Sequence, residues 1–347
     1  MSSPILRALS LALAALAGLG TAACAREGPL RERLKERIEA RRTPAPAEGA
    51  DATAGRLTAP GDYRLSLEHD GLTRRYLVHV PRSYRGDRPA PLVVAFHGGG
   101  GGMEHMADDA NYGLVSKSES AGFVVVFPNG VSRLPSSMLA TWNAGACCGS
   151  ARDRNVDDVG FVRKMLADLA TRLAVDPARV YATGMSNGAM MAYRLACELP
   201  ASFRAIAAVA GTDNTLACTP AARVAVLHVH ARNDTHVLFG GGAGQDAFRD
   251  RSQVTDFTSV PETVARWTKR NGCAVSPERV LDVAGATCDR WRPCAEGAEV
   301  QLCVTETGGH SWPGAERVRR GKESPSQAIS ANDAMWAFFE SLPPRGP

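Results

Sequence analysis

The chain has 347 residues, 44% of them hydrophobic and 22% charged, with 34 Gly, 21 Pro and 9 Cys, a globular composition that excludes wholesale disorder, collagen-like repeats and coiled coils. The net charge of +4 is carried at the N-terminus. Arg7 within residues 1–25, and seven Lys/Arg against four Glu within residues 26–42, leave residues 43–347 at zero, so no electrostatic field marks nucleic acid as a partner.

Residues 1–25 read as an export signal: Arg7 precedes an apolar run over 8–19, broken only by Ser10 and Gly18, and small residues follow up to Ala25. The run is short for a bilayer span, so stable membrane insertion is not expected unless the chain is lipidated. Ala23-Cys24-Ala25 suits cleavage before Arg26 and a secreted, extracellular or periplasmic product. Thr-Ala-Ala-Cys at 21–24 also resembles a bacterial lipoprotein box, which makes Cys24 a candidate lipid anchor. Residues 26–60 are expected to be a charged segment followed by an Ala/Pro-rich linker. The folded domain is expected over 61–342, with a tail at 343–347.

From Asp62 onward, apolar runs and amphipathic segments alternate. Strands are predicted at 63–68 and 75–80 around His69-Asp70-Gly71, a hairpin-turn signal, and then at 91–96, 123–127, 179–183, 205–210, 223–229 and 299–305. Several of these are continuous apolar runs, as strands covered on both faces require. Helices are predicted at 159–174, where Val162, Met165, Leu166, Leu169 and Leu173 share one side, and at 187–199, 261–270 and 330–341. Asp157 and Asp158 suit the start of the first, Ser330 or Asn332 that of the last. The alternation predicts an α/β domain with a doubly wound, mostly parallel sheet and an N-terminal antiparallel hairpin. Eight cysteines remain after export: Cys147, Cys148, Cys197, Cys218, Cys273, Cys288, Cys294 and Cys303. In an oxidising compartment they predict up to four disulfides, the four between 273 and 303 pairing among themselves. With no Cys-x2-Cys, no zinc site is expected.

In a sheet of this kind chemistry sits beyond the carboxyl ends of the strands. Gly184-Met185-Ser186-Asn187-Gly188 follows the 179–183 strand and precedes a small-residue helix, the G-x-S-x-G nucleophile elbow in its strand–turn–helix setting. Asp234 follows the 223–229 strand, and Gly308-Gly309-His310 follows the 299–305 strand. A serine hydroxyl needs an imidazole to take its proton and a carboxylate to orient that imidazole, and Ser186, Asp234 and His310 occur in the α/β-hydrolase order. Asp213, at the end of the 205–210 strand, is the rival acid. His97 begins a run of five glycines after the 91–96 strand, and backbone N–H groups there are expected to join that of Asn187 in holding an oxyanion. Gly99 and Gly100 are the candidate donors. A phosphate loop is excluded, because no Lys-Ser/Thr follows the glycines.

Taken together, PLVVAFHGGGGG, TWNAGACCGSARDRNVDDVGFV, RVYATGMSNGAMMAYRLACELP and GGHSWPG resemble the exported polyhydroxybutyrate-depolymerase-like esterases, which share an α/β-hydrolase core with feruloyl and acetylxylan esterases of carbohydrate esterase family one. The resemblance covers residues 63–342. It implies a serine esterase acting on a polyester or ester substrate, with Ser186, Asp234 and His310 as nucleophile, acid and base and with neither metal nor organic cofactor. Poly(3-hydroxybutyrate) or its oligomers are the expected substrate, and feruloyl or acetylated plant polysaccharide the alternative. A non-catalytic surface lipoprotein is the alternative of another class. Members often carry His-Gly-x-x-Asp and then Val-Pro-Tyr, where this chain has His230-Ala231-Arg232-Asn233-Asp234 and then Thr-His-Val-Leu-Phe. Many polymer depolymerases append polymer-binding modules; this sequence ends after its last predicted helix, so oligomers or soluble esters are expected over insoluble polymer. Trp312, Trp142 and Phe239 are candidate substrate-binding walls, and residues 240–259 form either a cleft rim or lid or a surface loop.

Overall fold

The computed structural model describes residues 55–132, 139–247, 255–317 and 323–343. The export signal, Cys24 and the charged segment lie outside them, as do residues 343–347 beyond the first of that tail. Ten strands form one sheet: β1 (Gly61–His69), β2 (Leu72–Val80), β3 (Ala90–Phe96), β4 (Val124–Pro128), β5 (Val175–Met185), β6 (Ala205–Val209), β7 (Ala225–Ala231), β8 (Glu278–Val283), β9 (Ala286–Trp291) and β10 (Val300–Thr305), in the order β1-β2-β4-β3-β5-β6-β7-β10-β9-β8. The six central strands, β4-β3-β5-β6-β7-β10, run parallel, and antiparallel strands flank them on both sides. This is the α/β-hydrolase fold.

The apolar runs of the sequence serve two cores. Leu92, Val94 and Phe96 of β3 enter the cluster on one face, Val93 and Ala95 that on the other, and Val124/Val126 against Val125/Phe127 divide β4 in the same way. A period of two places successive side chains on opposite faces, so a strand covered on both sides must be apolar throughout. One face is covered by α5 (Asp158–Arg172), α6 (Asn187–Glu198) and α7 (Val260–Asn271), through Val162, Met165, Leu169, Leu195 and Trp267. The other is covered by α1 (Met103–Met106), α2 (Asp109–Tyr112), α3 (Leu114–Ala121) and α8 (Ala331–Ser341), through Met106, Leu114, Phe338 and Phe339. A short helix, α4 (Gly149–Asp153), precedes α5. Caps set the longer starts: Asp157 accepts from the Gly160 N–H, Ser259 from that of Glu262 and Ser330 from that of Asp333, each contributing about 1 kcal/mol.

One expectation changes, and two features of the fold leave little mark in the sequence. The packed domain begins before residue 61, because Leu57 is buried and its N–H donates to the Arg172 carbonyl. The β8–β9 arm did not register in the sequence, since β8 is exposed along most of its length and has no apolar face to repeat. Two of the three helices between β3 and β4 have only four residues, too few for a periodic pattern to develop. All eight cysteines pair: Cys147–Cys148, Cys197–Cys218, Cys273–Cys294 and Cys288–Cys303, the last joining opposed residues of β9 and β10. The four between 273 and 303 pair with one another, as expected. Among the described residues no helix is long and apolar enough to cross a membrane.

Candidate active site

A cavity of about 680 Å³ opens at the carboxyl edge of the parallel strands, and Ser186, Asn187, His310 and the glycines 98–101 all line it. Ser186 sits between β5 and α6 with φ 56 and ψ −121, a left-handed conformation that costs a non-glycine residue about 1–3 kcal/mol. The turn is held because the Ser186 N–H donates to the Val209 carbonyl, while its own carbonyl accepts from Met190. It also requires close approach of strand and helix. A Cβ at Gly188 would run into the Phe96 carbonyl, and one at Gly184 would lie 2.6 Å from the Gly188 carbonyl oxygen.

The glycine loop after β3 lies across this elbow. The Gly100 N–H donates to the Ala140 carbonyl and that of Gly101 to Gly98, so Gly100 is occupied and does not serve as the expected oxyanion donor. No hydrogen bond among the described residues takes up the N–H of Gly99, and its Cα would place a side chain 3.6 Å from the Asn187 Cβ. The Asn187 N–H, in the first turn of α6, has no acceptor four residues back. Gly99 and Asn187 are thus the pair of donors the geometry offers.

The loop is braced from behind. The Asn187 side chain clamps the Trp142 backbone, accepting its N–H at 2.7 Å and donating to its carbonyl at 3.0 Å, and the Trp142 indole N–H donates to the His97 carbonyl at 3.0 Å. Trp142 is fully buried against Phe96 and His97 and does not line the cavity. The expectation of a substrate wall is corrected: its N–H is needed inside. His97 donates from Nδ1 to the Gly98 carbonyl and accepts at Nε2 from the Gly130 N–H. Burial pushes its imidazole down to about 4, the Gly98 bond opposing this, so the ring is neutral.

The carboxylate and imidazole come from the next loops. His310 Nδ1 lies 2.8 Å from Asp234 Oδ2. Asp234 Oδ1 accepts the N–H groups of His236 at 2.7 Å and Val237 at 3.1 Å, and His230 Nε2 stands 3.3 Å from Oδ2. Burial raises the carboxyl, but the field of His310 and the hydrogen bonds from His230 and His310 outweigh it and hold the group well below the usual carboxylate range. The His310 loop is tied by the Gly309 N–H to Asn233 Oδ1, and Asn233 in turn donates to Glu323. The His236 ring stacks on His310, centroids 4.4 Å apart.

Asp213, the rival acid, is buried and spent elsewhere: it pairs with Arg270 and accepts from the Trp267 indole at 3.1 Å and the Thr215 hydroxyl at 2.6 Å. Trp312 does line the cavity, with its indole N–H on Asn332. Phe239 does not; it packs edge-on to His230 with Arg232 over its face, because its apolar surface covers the buried imidazole. Of residues 240–259, Asp246, Ala247 and Phe257 reach the cavity wall, while 248–254 lie outside the described residues. Asp234, His236 and His310 also bring ligand atoms within 4.8 Å of one another. The short Asp234–His310 bond and the parallel stack of the two rings suit an acid–base pair better than lone pairs converging on one ion.

A serine on a strand–helix elbow, backbone donors from a glycine loop and a buried carboxylate–imidazole pair, gathered at one edge of an α/β-hydrolase sheet, define the class: an ester hydrolase. A family model described as Esterase PHB depolymerase matches residues 75–254, just over half of the chain, and the chain belongs to this family. Feruloyl esterase B of Piromyces equi is 28% identical over 246 residues, covering 69% of this chain but only 42% of that protein. The probable feruloyl esterase C of Aspergillus niger is 28% identical over 275 residues, covering 77% and 83% of the two chains. Among solved structures, an acetyl xylan esterase from Aspergillus awamori shares the fold with a TM-score of 0.56 at 15% identity, covering 80% of this chain and 99% of that one.

In the sequence His228 reads as a strand residue and His230, beside Asp234, as a candidate cleft residue; the structure buries both, and neither lines the cavity. Two histidines alternating on one face of an otherwise apolar run were the available signal.

Proposed function

We propose that the chain is an exported serine esterase that cleaves poly(3-hydroxybutyrate) or its oligomers through an acyl-enzyme. The single observation that carries this reading is His310, bonded from Nδ1 to the buried Asp234, lining one cavity with Ser186, Gly99 and Asn187. In the proposed cycle Ser186 Oγ attacks the ester carbonyl as His310 Nε2 takes its proton. Asp234 holds the Nδ1–H tautomer and balances the imidazolium. The two N–H groups receive the charge that develops on the carbonyl oxygen. His310 then passes the proton to the leaving alcohol, and water repeats the sequence on the acyl-enzyme.

Apolar wall residues such as Met185, Met190, Phe257 and Trp312 suit an aliphatic acyl chain, and the family description supports a polyester. The feruloyl relatives support a second reading, aromatic esters of plant polysaccharide, for which the same wall provides a surface. The four disulfides fit an oxidising, extracellular or periplasmic location. Whether Cys24 anchors the protein is read from the mature N-terminus: an acylated Cys24 or a free Arg26.

The test is product release from amorphous poly(3-hydroxybutyrate), its short oligomers and methyl ferulate, with Ser186→Ala as control. Hydroxybutyrate release that vanishes in the variant is expected. Ferulate release alone moves the substrate to plant esters, and activity that survives Ser186→Ala overturns the mechanism. A binding protein without catalysis would not be labelled at Ser186 by an organophosphonate.

A further inference from the structure

Behind Asp234, on the side away from the cavity, three buried polar side chains form a file that the proposed cycle does not use. Tyr193 lies on α6, and His228 and His230 lie two residues apart on β7, so that both project from the same face with their rings stacked 5.2 Å apart. All three are essentially inaccessible to solvent. The Tyr193 hydroxyl is 2.7 Å from His228 Nδ1, His228 Nε2 is 3.1 Å from His230 Nδ1, and His230 Nε2 is 2.8 Å from the Val237 carbonyl and 3.3 Å from Asp234 Oδ2.

The chemistry of the two ends gives this file a direction. A carbonyl oxygen can only accept, so His230 Nε2 carries a hydrogen, and the same N–H faces the carboxylate. A second hydrogen on His230 Nδ1 would make it a cation on the carboxylate oxygen that already meets His310, and the charge needed by the His310 imidazolium would be taken before the reaction began. With Nδ1 as an acceptor, His228 must donate from Nε2, and its own Nδ1 must then accept from Tyr193. Burial agrees with neutral links at Tyr193 and His228: it pushes the Tyr193 hydroxyl well above its ordinary range, with the field of Asp213 adding to it, and the His228 imidazole well below.

We propose that Tyr193, His228 and His230 form a neutral, one-way donor chain that positions Asp234 and keeps its full charge available to His310. They are positioning residues, acting through the acid and touching no reacting atom. The inference rests on the triad reading above, and it ties the helix that starts beside the nucleophile to the carboxylate two strands away. The file ends on α6, so one element sets both the Asn187 donor and, through Tyr193, the proton order behind the acid.

The test is nitrogen-15 NMR of the full chain labelled at histidine, because the two ring nitrogens report tautomer and charge without reference to activity. At neutral pH His228 and His230 are each expected to carry their hydrogen on Nε2 and none on Nδ1. An Nδ1–H tautomer at either residue, or a doubly protonated His230 at neutral pH, overturns the chain whatever the fate of the triad. Kinetics supply the second arm. His228→Leu removes the donor to His230 and is expected to lower kcat about tenfold with KM unchanged, since no atom of the chain lines the cavity. His228→Gln, whose amide can accept from Tyr193 and donate to His230, is expected to recover most of that loss. Equal kcat for the Leu and Gln variants, or a loss carried by KM, assigns these residues to packing and overturns the proposal. Loss of activity in Ser186→Ala or Asp234→Asn tests the triad separately.

Discussion

Two buried aspartates stand just beyond the ends of adjacent parallel strands, Asp213 after β6 and Asp234 after β7, and neither side chain reaches solvent. Asp213 meets a guanidinium, an indole N–H and a hydroxyl. Arginine does not titrate in this range, so its charge and that of Asp213 are permanently committed to each other. Asp234 meets two imidazoles and two backbone N–H groups. Those partners hold the carboxylate ionised and leave its charge available to answer a proton arriving on His310. Burial is the same in both places; the partner decides whether a buried carboxylate is a brace or part of a reaction centre.

Asp234 is where a substitution should have the largest effect. Asp234→Asn presents an amide N–H toward His310, which favours the proton on Nε2, facing Ser186, and removes the base. By analogy with carboxylate loss in other serine triads, kcat is expected to fall about ten-thousand-fold; steady-state kinetics on a soluble ester checks it, and a small loss makes Asp234 dispensable. Asp213→Asn should act in the opposite sense. It strands the Arg270 charge, which is partly exposed, and costs about 3 kcal/mol of stability by denaturant unfolding. The activity of the folded fraction should stay within about threefold. If Asp213→Asn abolishes catalysis in protein that is still folded, the division between the two sites fails.

A smaller effect sharpens the contrast from the imidazole side. His97 is buried with a carbonyl and an N–H as partners and no carboxylate, and its imidazole lies at about 4, below its ordinary 6.5. The unfolded chain takes up this proton first, so stability falls as pH drops through 6.5 toward 4, by about 2 kcal/mol between pH 7 and about 5. Asp234 adds a later loss: its folded-state value is depressed, so its contribution is intact above the ordinary carboxyl value of 3.8 and is lost as pH falls below it. His97→Gln should lessen the slope of the upper part of the acid unfolding curve, to which the buried His228 also contributes, and leave the lower part in place. An unchanged slope above pH 5 would remove His97 as its source.

What could be read along the chain was whatever repeats or sits beside its own signal. Continuous apolar runs set the parallel strands, because a strand covered on both faces admits no polar alternation. The glycines around Ser186, the Gly-rich segment after β3 and the Gly-Gly-His segment after β10 marked three loops at one edge of the sheet, as the topology of such folds requires. Paired cysteines showed between 273 and 303 for the simple reason of proximity. The β8–β9 arm escaped, because β8 is exposed along most of its length and β9 buries only Ala286 and Cys288.

Only the tertiary structure decided between side chains of the same type. Asp213 and Asp234 are alike in sequence as acids after strands, and Arg270, 57 residues beyond Asp213, separates them. Trp142 and Trp312 are alike as aromatics near motifs, yet one spends its N–H on the His97 carbonyl inside the core and the other faces the cavity. Gly99 and Gly100 are neighbours, and a single bond to Ala140 disqualifies the second as an oxyanion donor. Local pattern determines which backbone shape a segment takes, because propensity, periodicity and turn chemistry act over a few residues. The role of a polar group is set by the partner that satisfies it when water is removed, and that partner is brought from far along the chain by the packing of the sheet.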